Sequence, residues 1–224
     1  MQNKRNTYWS PWSTGVGIGD EQMLVRHGVM SNYRAGETIF SQGDPCGCLF
    51  YLYSGRVDIY TLGINGDEKT HFIQEKGTFF GEAAFFAQNV HIATGVAREE
   101  SCVIRLDEEA LRRLFADDPD LPFSLLRALS GKMHQLASQV DDLSYLAINQ
   151  RLARLLLKLA EDQGKPEEGG IVLPVNITDE ELGKLIGARR EAVSRVLSAL
   201  KDLGIAEKVK RKIYVKDTLA LRDY

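Results

Sequence analysis

Residues 177–200, ITDEELGKLIGARREAVSRVLSAL, constrain this chain more than any other stretch, because they read as two short helices hinged at a glycine. Thr178 is a good N-cap, and Glu181 three residues on completes a capping box, so the first helix begins where Leu182, Leu185 and Ile186 begin their apolar pattern. Gly187 supplies the turn. In the second helix Val193, Val196, Leu197, Leu200 and Leu203 recur at spacings of three and four, which predicts one buried stripe. Arg189, Arg190, Glu191, Ser194 and Arg195 fall off that stripe, at the N-terminal end that a helix-turn-helix inserts into the major groove. An arginine fork can donate two hydrogen bonds to guanine O6 and N7, a glutamate can accept from cytosine N4, and serine reads less decisively. Downstream, residues 205–215 (IAEKVKRKIYV) predict two short strands around Lys208, Lys210, Arg211 and Lys212, a basic wing suited to phosphates. The bland alternative is a solvated amphipathic helix beside a charged hairpin.

Charge is segregated along the chain. The whole carries −3, but residues 187–216 hold nine Lys and Arg against three Asp and Glu, whereas residues 1–146 hold thirteen against nineteen. A local +6 beside a local −6 draws phosphate to one end only.

With 224 residues, 44% hydrophobic and 26% charged, the chain has the bulk for one large or two modest cores. It has no apolar run near the roughly 18 residues that span a bilayer, nor a basic start followed by an apolar core, so no membrane contact and a cytoplasmic location are expected. Three cysteines, an odd number, do not suggest a disulfide framework.

Glycines at 36, 43, 47, 55, 63, 66, 77 and 81 punctuate the first half into short strands, among them residues 49–53 and 57–62, implying an antiparallel roll or barrel. The string GVGIG at 15–19 lacks the spacing of a nucleotide loop and a strand before it. Asp107 caps a helix through Leu111 and Leu114, and Pro119 and Pro122 are expected to break the chain before a long helix. Along that helix Leu126, Leu129, Met133, Leu136, Val140, Leu143 and Ala147 form a heptad seam that predicts a homodimer; the same stripe could instead pack on the chain's own roll. A helix then resumes with Ile148, Leu152, Leu155, Leu156 and Leu159 on one face, and residues 164–170 (GKPEEGG) read as a loop. The expected fold is α+β: an antiparallel β-roll over 1–121, a dimerisation helix over 122–147 and a winged helix-turn-helix over 148–224.

Three segments carry a resemblance: LFYLYSGRVDIY at 49–60, GTFFGEAAFF at 77–86 and the helix-turn-helix at 177–200. Over roughly residues 23–215 the chain resembles the CRP/FNR superfamily of bacterial transcription regulators. The resemblance implies an effector-sensing roll of the cyclic-nucleotide-binding type, a dimer helix, and a DNA-binding unit that reads palindromic promoters and contacts RNA polymerase. Arg190, Glu191 and Arg195 match the base-reading positions of cyclic-AMP receptor proteins, while Glu191, Ser194 and Arg195 match those of the FNR branch. A TTGA-like or TGTGA-like half-site follows. Residues 63–68 and 163–170 match polymerase-contacting loops, which favours an activator over a repressor.

The pocket implied by the resemblance comprises Gly81, Glu82, His91, Ile92, Ala93, Met133, Leu136 and Ala137. Ile92 stands where cyclic-AMP binders carry a phosphate-clamping arginine, with Ala93 following, and Leu136 and Ala137 replace paired hydroxyls that meet the adenine. Cyclic AMP is therefore not the expected effector; a small anion could still sit on the backbone N–H groups after Gly81, but the mixed apolar lining favours a hydrophobic or planar ligand. Cys46, Cys48 and Cys102 are one short of the four thiolates that iron–sulfur sensors use, and Cys46-Gly-Cys48 is too tight for an unstrained disulfide. Haem, for a gas effector, is the alternative cofactor, with His27, His71, His91, His134 or a cysteine as axial ligand and His91 and His134 foremost. The stretch TYWSPW at 7–12 carries both tryptophans, suited to covering the pocket or anchoring the terminus.

Effector binding between roll and long helix would reset how two helices meet, and so the separation of the recognition helices. Two rival classes remain. A cupin-like metalloenzyme needs a His-x-His pair with a carboxylate, and the histidines here stand alone. An effector-independent DNA-binding protein would bind its operator without any ligand.

Overall fold

The computed structural model describes residues 21–87, 89–173 and 177–224. The tryptophan-bearing stretch and the GVGIG string lie outside the described residues. In chain order, α1 (Glu21–His27) is followed by β1 (Val29–Tyr33), β2 (Thr38–Phe40), β3 (Leu49–Ser54), β4 (Arg56–Leu62), β5 (Glu68–Glu75) and β6 (Phe79–Phe80). Next come α2 (Glu82–Ala87), β7 (Thr94–Ala97), β8 (Ser101–Leu106), α3 (Glu108–Asp117) and the 25-residue α4 (Leu121–Tyr145). The remainder holds α5 (Ile148–Gln163), β9 (Lys165–Glu167), β10 (Gly170–Val172), α6 (Asp179–Ile186), α7 (Arg190–Asp202), β11 (Ala206–Val209), β12 (Lys212–Val215) and α8 (Thr218–Asp223). Two compact units divide within α4, between Ala137 and Ser138.

The first unit is built from two four-stranded antiparallel sheets, ordered β1-β8-β3-β6 and β2-β7-β4-β5. Strand β3, LFYLYS, shows why the roll needs nearly continuous apolar strands: successive side chains point to opposite faces, and both faces are covered. Leu49 and Tyr51 pack outward under Leu24, Leu111, Leu114 and Leu125 of the helices, while Phe50 and Leu52 pack inward with Phe40, Val57, Ile59 and Phe80. Asp107 caps α3 as expected, accepting from the Ala110 N–H at 2.7 Å. Pro122, expected to break the chain, instead stands second in α4, in the first turn, where its missing N–H has no intrahelical partner to lose. Helices α1 and α2 escape sequence reading because, at seven and six residues, neither completes two turns of periodicity.

In the second unit α5 buries Leu152, Leu155, Leu156 and Leu159 against the helix-turn-helix and α8. The stretch read as a loop at 164–170 is largely a hairpin. Gly169, at φ 93°, lets the chain turn between β9 and β10, and Pro166 is tolerated because β9 is the edge strand of the sheet β11-β12-β10-β9.

Candidate functional site

The helix-turn-helix forms as its sequence dictates. The Thr178 hydroxyl accepts from the Glu181 N–H at 3.1 Å, and the Glu181 carboxylate accepts from the Thr178 N–H at 2.7 Å, closing the capping box. Gly187 ends α6 at φ 66° and ψ 50°, a left-handed conformation that glycine adopts without steric cost. The returning chain passes so close that a Cβ on Gly183 would lie 2.4 Å from the Ala188 carbonyl oxygen. Arg151 of α5 donates to the Ile186 carbonyl at 2.7 Å and so completes the end of α6.

Helix α7 buries Val193, Leu197 and Leu200 and half-buries Val196. Leu203 departs from the expected stripe: it is the C-cap, one residue past the last helical position, and is 62% exposed. Arg189 is the N-cap residue, and Arg189, Arg190, Glu191, Ser194 and Arg195 are all exposed on the face opposite the core. The wing is the β11–β12 hairpin, with Val209 facing Lys212 and the exposed Lys210 and Arg211 at its tip. Lys210 takes φ 59°, an uncommon conformation for a side-chain-bearing residue. Lys208 does not belong with the free wing cations: it donates to Asp179 at 2.5 Å and ties the wing to the start of α6.

A cavity of about 280 Å³ lies in the first unit, between the sheet of β4 and β5, the β6–α2 turn and α4. Gly81, Glu82, His91, Ile92, Ala93, Met133 and Leu136 line it, whereas Ala137 is exposed and outside the lining. His71, named above only as a possible haem ligand, also lines the cavity, and sequence reasoning missed Gln74 and Lys132. Each is a polar residue breaking an otherwise apolar face: Gln74 stands two places from Phe72 on β5, and Lys132 three from Leu129 on α4. Lys132 is buried; it donates to the Phe79 carbonyl at 2.7 Å and to Glu82 at 3.0 Å, and lies 5.6 Å from the Phe72 ring centre.

His91 is buried and stacks on Phe40, with ring centres 3.9 Å apart. Burial lowers its pKa from the ordinary imidazole value against the opposing pull of Asp44. Burial, with Lys69 adding, does the same to His71, whose Nε2 meets the Thr61 hydroxyl at 2.9 Å. The other two histidines lie elsewhere: His27 pairs with Asp117 at 2.9 Å, and His134 is exposed on α4. Of the two foremost candidates for a haem ligand, His91 is buried in the cavity lining with its ring stacked on Phe40, and His134 is exposed on α4 outside that lining. Among the described residues no three His, Cys, Asp or Glu side chains gather where they could hold a metal ion. The Cys46 thiol donates to the Cys48 carbonyl at 3.5 Å, and burial raises its pKa, as it does for Cys102 in β8. Neither is a ready thiolate.

Along α4, Leu126, Met133, Leu136, Val140 and Leu143 are exposed, while Leu129 is half-buried at the cavity. An apolar stripe at heptad spacing is therefore left uncovered within one chain.

A ligand-sized cavity in a β-roll and a winged helix-turn-helix with an exposed polar recognition face together define an effector-responsive, DNA-binding transcription regulator. Residues 30–118 match the family model of the cyclic nucleotide-binding domain, and residues 150–224 that of the Crp-like helix-turn-helix domain. The cAMP-activated global transcriptional regulator Vfr of Pseudomonas aeruginosa is 30% identical over 198 residues, covering 86% of this chain and 91% of that protein. A CRP-like cAMP-activated global transcriptional regulator of Mycobacterium tuberculosis is 28% identical over 187 residues, 84% of each chain. Among solved structures, TTHA1359, a CRP/FNR-family transcriptional regulator of Thermus thermophilus, superposes with a TM-score of 0.69 at 26% identity, over 87% of this chain and 97% of that one. A CooA mutant of Carboxydothermus hydrogenoformans shares the fold, with a TM-score of 0.82 at 23% identity over 94% and 95% of the two chains. The chain belongs to the CRP/FNR family of transcription regulators.

Proposed function

We propose that this regulator acts as a homodimer on an inverted-repeat promoter site and that its effector, bound in the α4 cavity, is not cyclic AMP. The observation that carries the DNA-reading assignment is the outward display of Arg190, Glu191, Ser194 and Arg195 on α7, with Arg189 at its start and Lys210 and Arg211 on the wing. Dimerisation is supported by the exposed stripe from Leu126 to Leu143, since burying one such side chain is worth roughly 1.5–3 kcal/mol. A twofold dimer would meet DNA as an inverted repeat.

Although relatives such as Vfr are named as cAMP-activated, the cavity here carries Ile92, 67% exposed, and Leu136 where charge and hydroxyls would serve a cyclic nucleotide. Its one cation, Lys132, is held by Glu82. An apolar lining favours a hydrophobic or planar small molecule. Residues 63–68, where Ile64 is wholly exposed, and 163–170 are proposed as contacts to RNA polymerase, making the protein an activator. No helix of the described residues is long and apolar enough to cross a membrane, which suits a protein acting on cytoplasmic DNA.

Sedimentation equilibrium of the full chain and of a Val140→Asp/Leu143→Asp variant tests the dimer. A dimer that the variant converts to monomer, with operator affinity falling in parallel, supports the proposal. A parent chain that is monomeric at micromolar concentration contradicts it.

A further inference from the structure

The first turn of α6 carries the carboxylates of Asp179, Glu180 and Glu181, and each is engaged. Asp179 accepts from the Lys208 ammonium at 2.5 Å, Glu180 lies 3.2 Å from Lys184 of its own helix, and Glu181 closes the capping box on Thr178. A helix N-terminus without such acids is a ready seat for a phosphate, whereas this one repels it. In a helix-turn-helix the first helix crosses the DNA backbone. With the start of α6 unsuited to that strand, the backbone contact on this edge falls to the wing cations Lys210 and Arg211.

That contact requires the wing to be held in place. Its base is fixed by Ile213 of β12, fully buried, whose carbonyl accepts from the Leu173 N–H at 2.8 Å. The tip is held less firmly: the Ile177 N–H reaches the Arg211 carbonyl at 3.3 Å, longer than an ordinary N–H···O bond, and Lys210 and Arg211 are exposed. Lys208 on β11 joins this part of the hairpin to α6 through Asp179. The two side chains are only 15% and 24% exposed, so salt screens their attraction less than that of a surface pair.

Resting on the reading of Lys210 and Arg211 as phosphate contacts, we propose that Asp179 and Lys208 are positioning residues for DNA binding. They touch no nucleotide; their ion pair holds the wing where its tip cations meet the backbone beside the groove that α7 enters.

Affinities of the full-length protein for operator and random duplex over a salt series test this. Asp179→Asn should weaken both duplexes roughly tenfold and lower the log–log salt slope by up to two phosphate contacts, about 0.9 each, while the ratio between the duplexes stays that of the parent. Lys210→Ala, harmful in the parent, should add nothing in Asp179→Asn. Lys208→Met reaches the same pair from its other side and should repeat both results, whereas Lys208→Arg, which keeps the charge, should keep the parent's slope. Circular dichroism establishes that each variant is folded. An unchanged slope, or a full Lys210→Ala effect in folded Asp179→Asn and Lys208→Met, would overturn the inference. So would tighter binding of Asp179→Asn with a steeper slope, which would make Lys208 a phosphate contact that Asp179 screens, or a loss of discrimination as large as that of Arg195→Ala. Lys210→Ala without effect in the parent would remove the wing reading itself, and this inference with it.

Discussion

The Lys132 ammonium and the Glu82 carboxylate lie 3.0 Å apart, both largely withdrawn from water, and join α4 to the first residue of α2. Removing only the cation would leave the carboxylate buried and the Phe79 carbonyl without its donor. Lys132→Met should therefore cost about 3–5 kcal/mol in urea unfolding, and Lys132→Met/Glu82→Gln should recover most of the loss. A single variant as stable as the parent would show that the pair does not hold these elements together.

Glu75, at the end of β5, has its pKa pushed up to about 7, chiefly by burial, with Glu99 adding and Arg56 opposing. One of its oxygens is buried without a partner. A raised carboxyl pKa means that the folded chain favours the neutral acid. Its contribution to stability is complete below the ordinary carboxyl value near 4.5 and is lost as pH rises through about 7. Glu75→Gln should consequently melt higher than the parent at pH 8 and close to it at pH 4, each kcal/mol shifting the midpoint by roughly 2–4 °C. A variant advantage that grows on acidification would contradict this sign.

At the helix-turn-helix hinge, a β-branched residue in place of Gly187 must adopt φ 66°. Gly187→Val should lower stability by about 1–3 kcal/mol and weaken operator binding with it. Gly183→Ala meets the Ala188 carbonyl instead and should act in the same direction. Circular-dichroism melts and operator titration check both; unchanged melts would mean that the turn is looser than its geometry.

Much of this hinge was legible in sequence, because Thr178, Glu181 and Gly187 work through local backbone chemistry that a few residues specify. Strands β3 and β4 were legible for the same reason. Leu203 was misplaced because helical periodicity continues on paper beyond the point where Gly204 lets the chain leave the helix, at φ 71°. The β9–β10 hairpin hid in a Gly-Pro-rich stretch, since its stability comes from pairing with β12, more than forty residues away. Gln74 and Lys132 were missed because their meaning depends on what the folded chain places around them; on a strand and a helix read alone, each is one polar residue among many.

For DNA reading, Arg195→Ala should lose about 1–3 kcal/mol of discrimination between operator and random duplex, as expected for a lost base contact. Lys210→Ala should weaken all sequences alike and reduce the salt dependence by about one phosphate contact. Binding titrations over a salt series separate the two. An Arg195→Ala protein with full discrimination would remove this side chain from the reading face.

The most direct test of the account is a hydroxyl-radical footprint of the full-length protein on its selected operator. Two protected patches related by a dyad, with half-site centres about 10 bp apart or a multiple of that, are expected if paired α7 helices enter successive major grooves. A single patch without dyad symmetry would contradict the homodimeric reader.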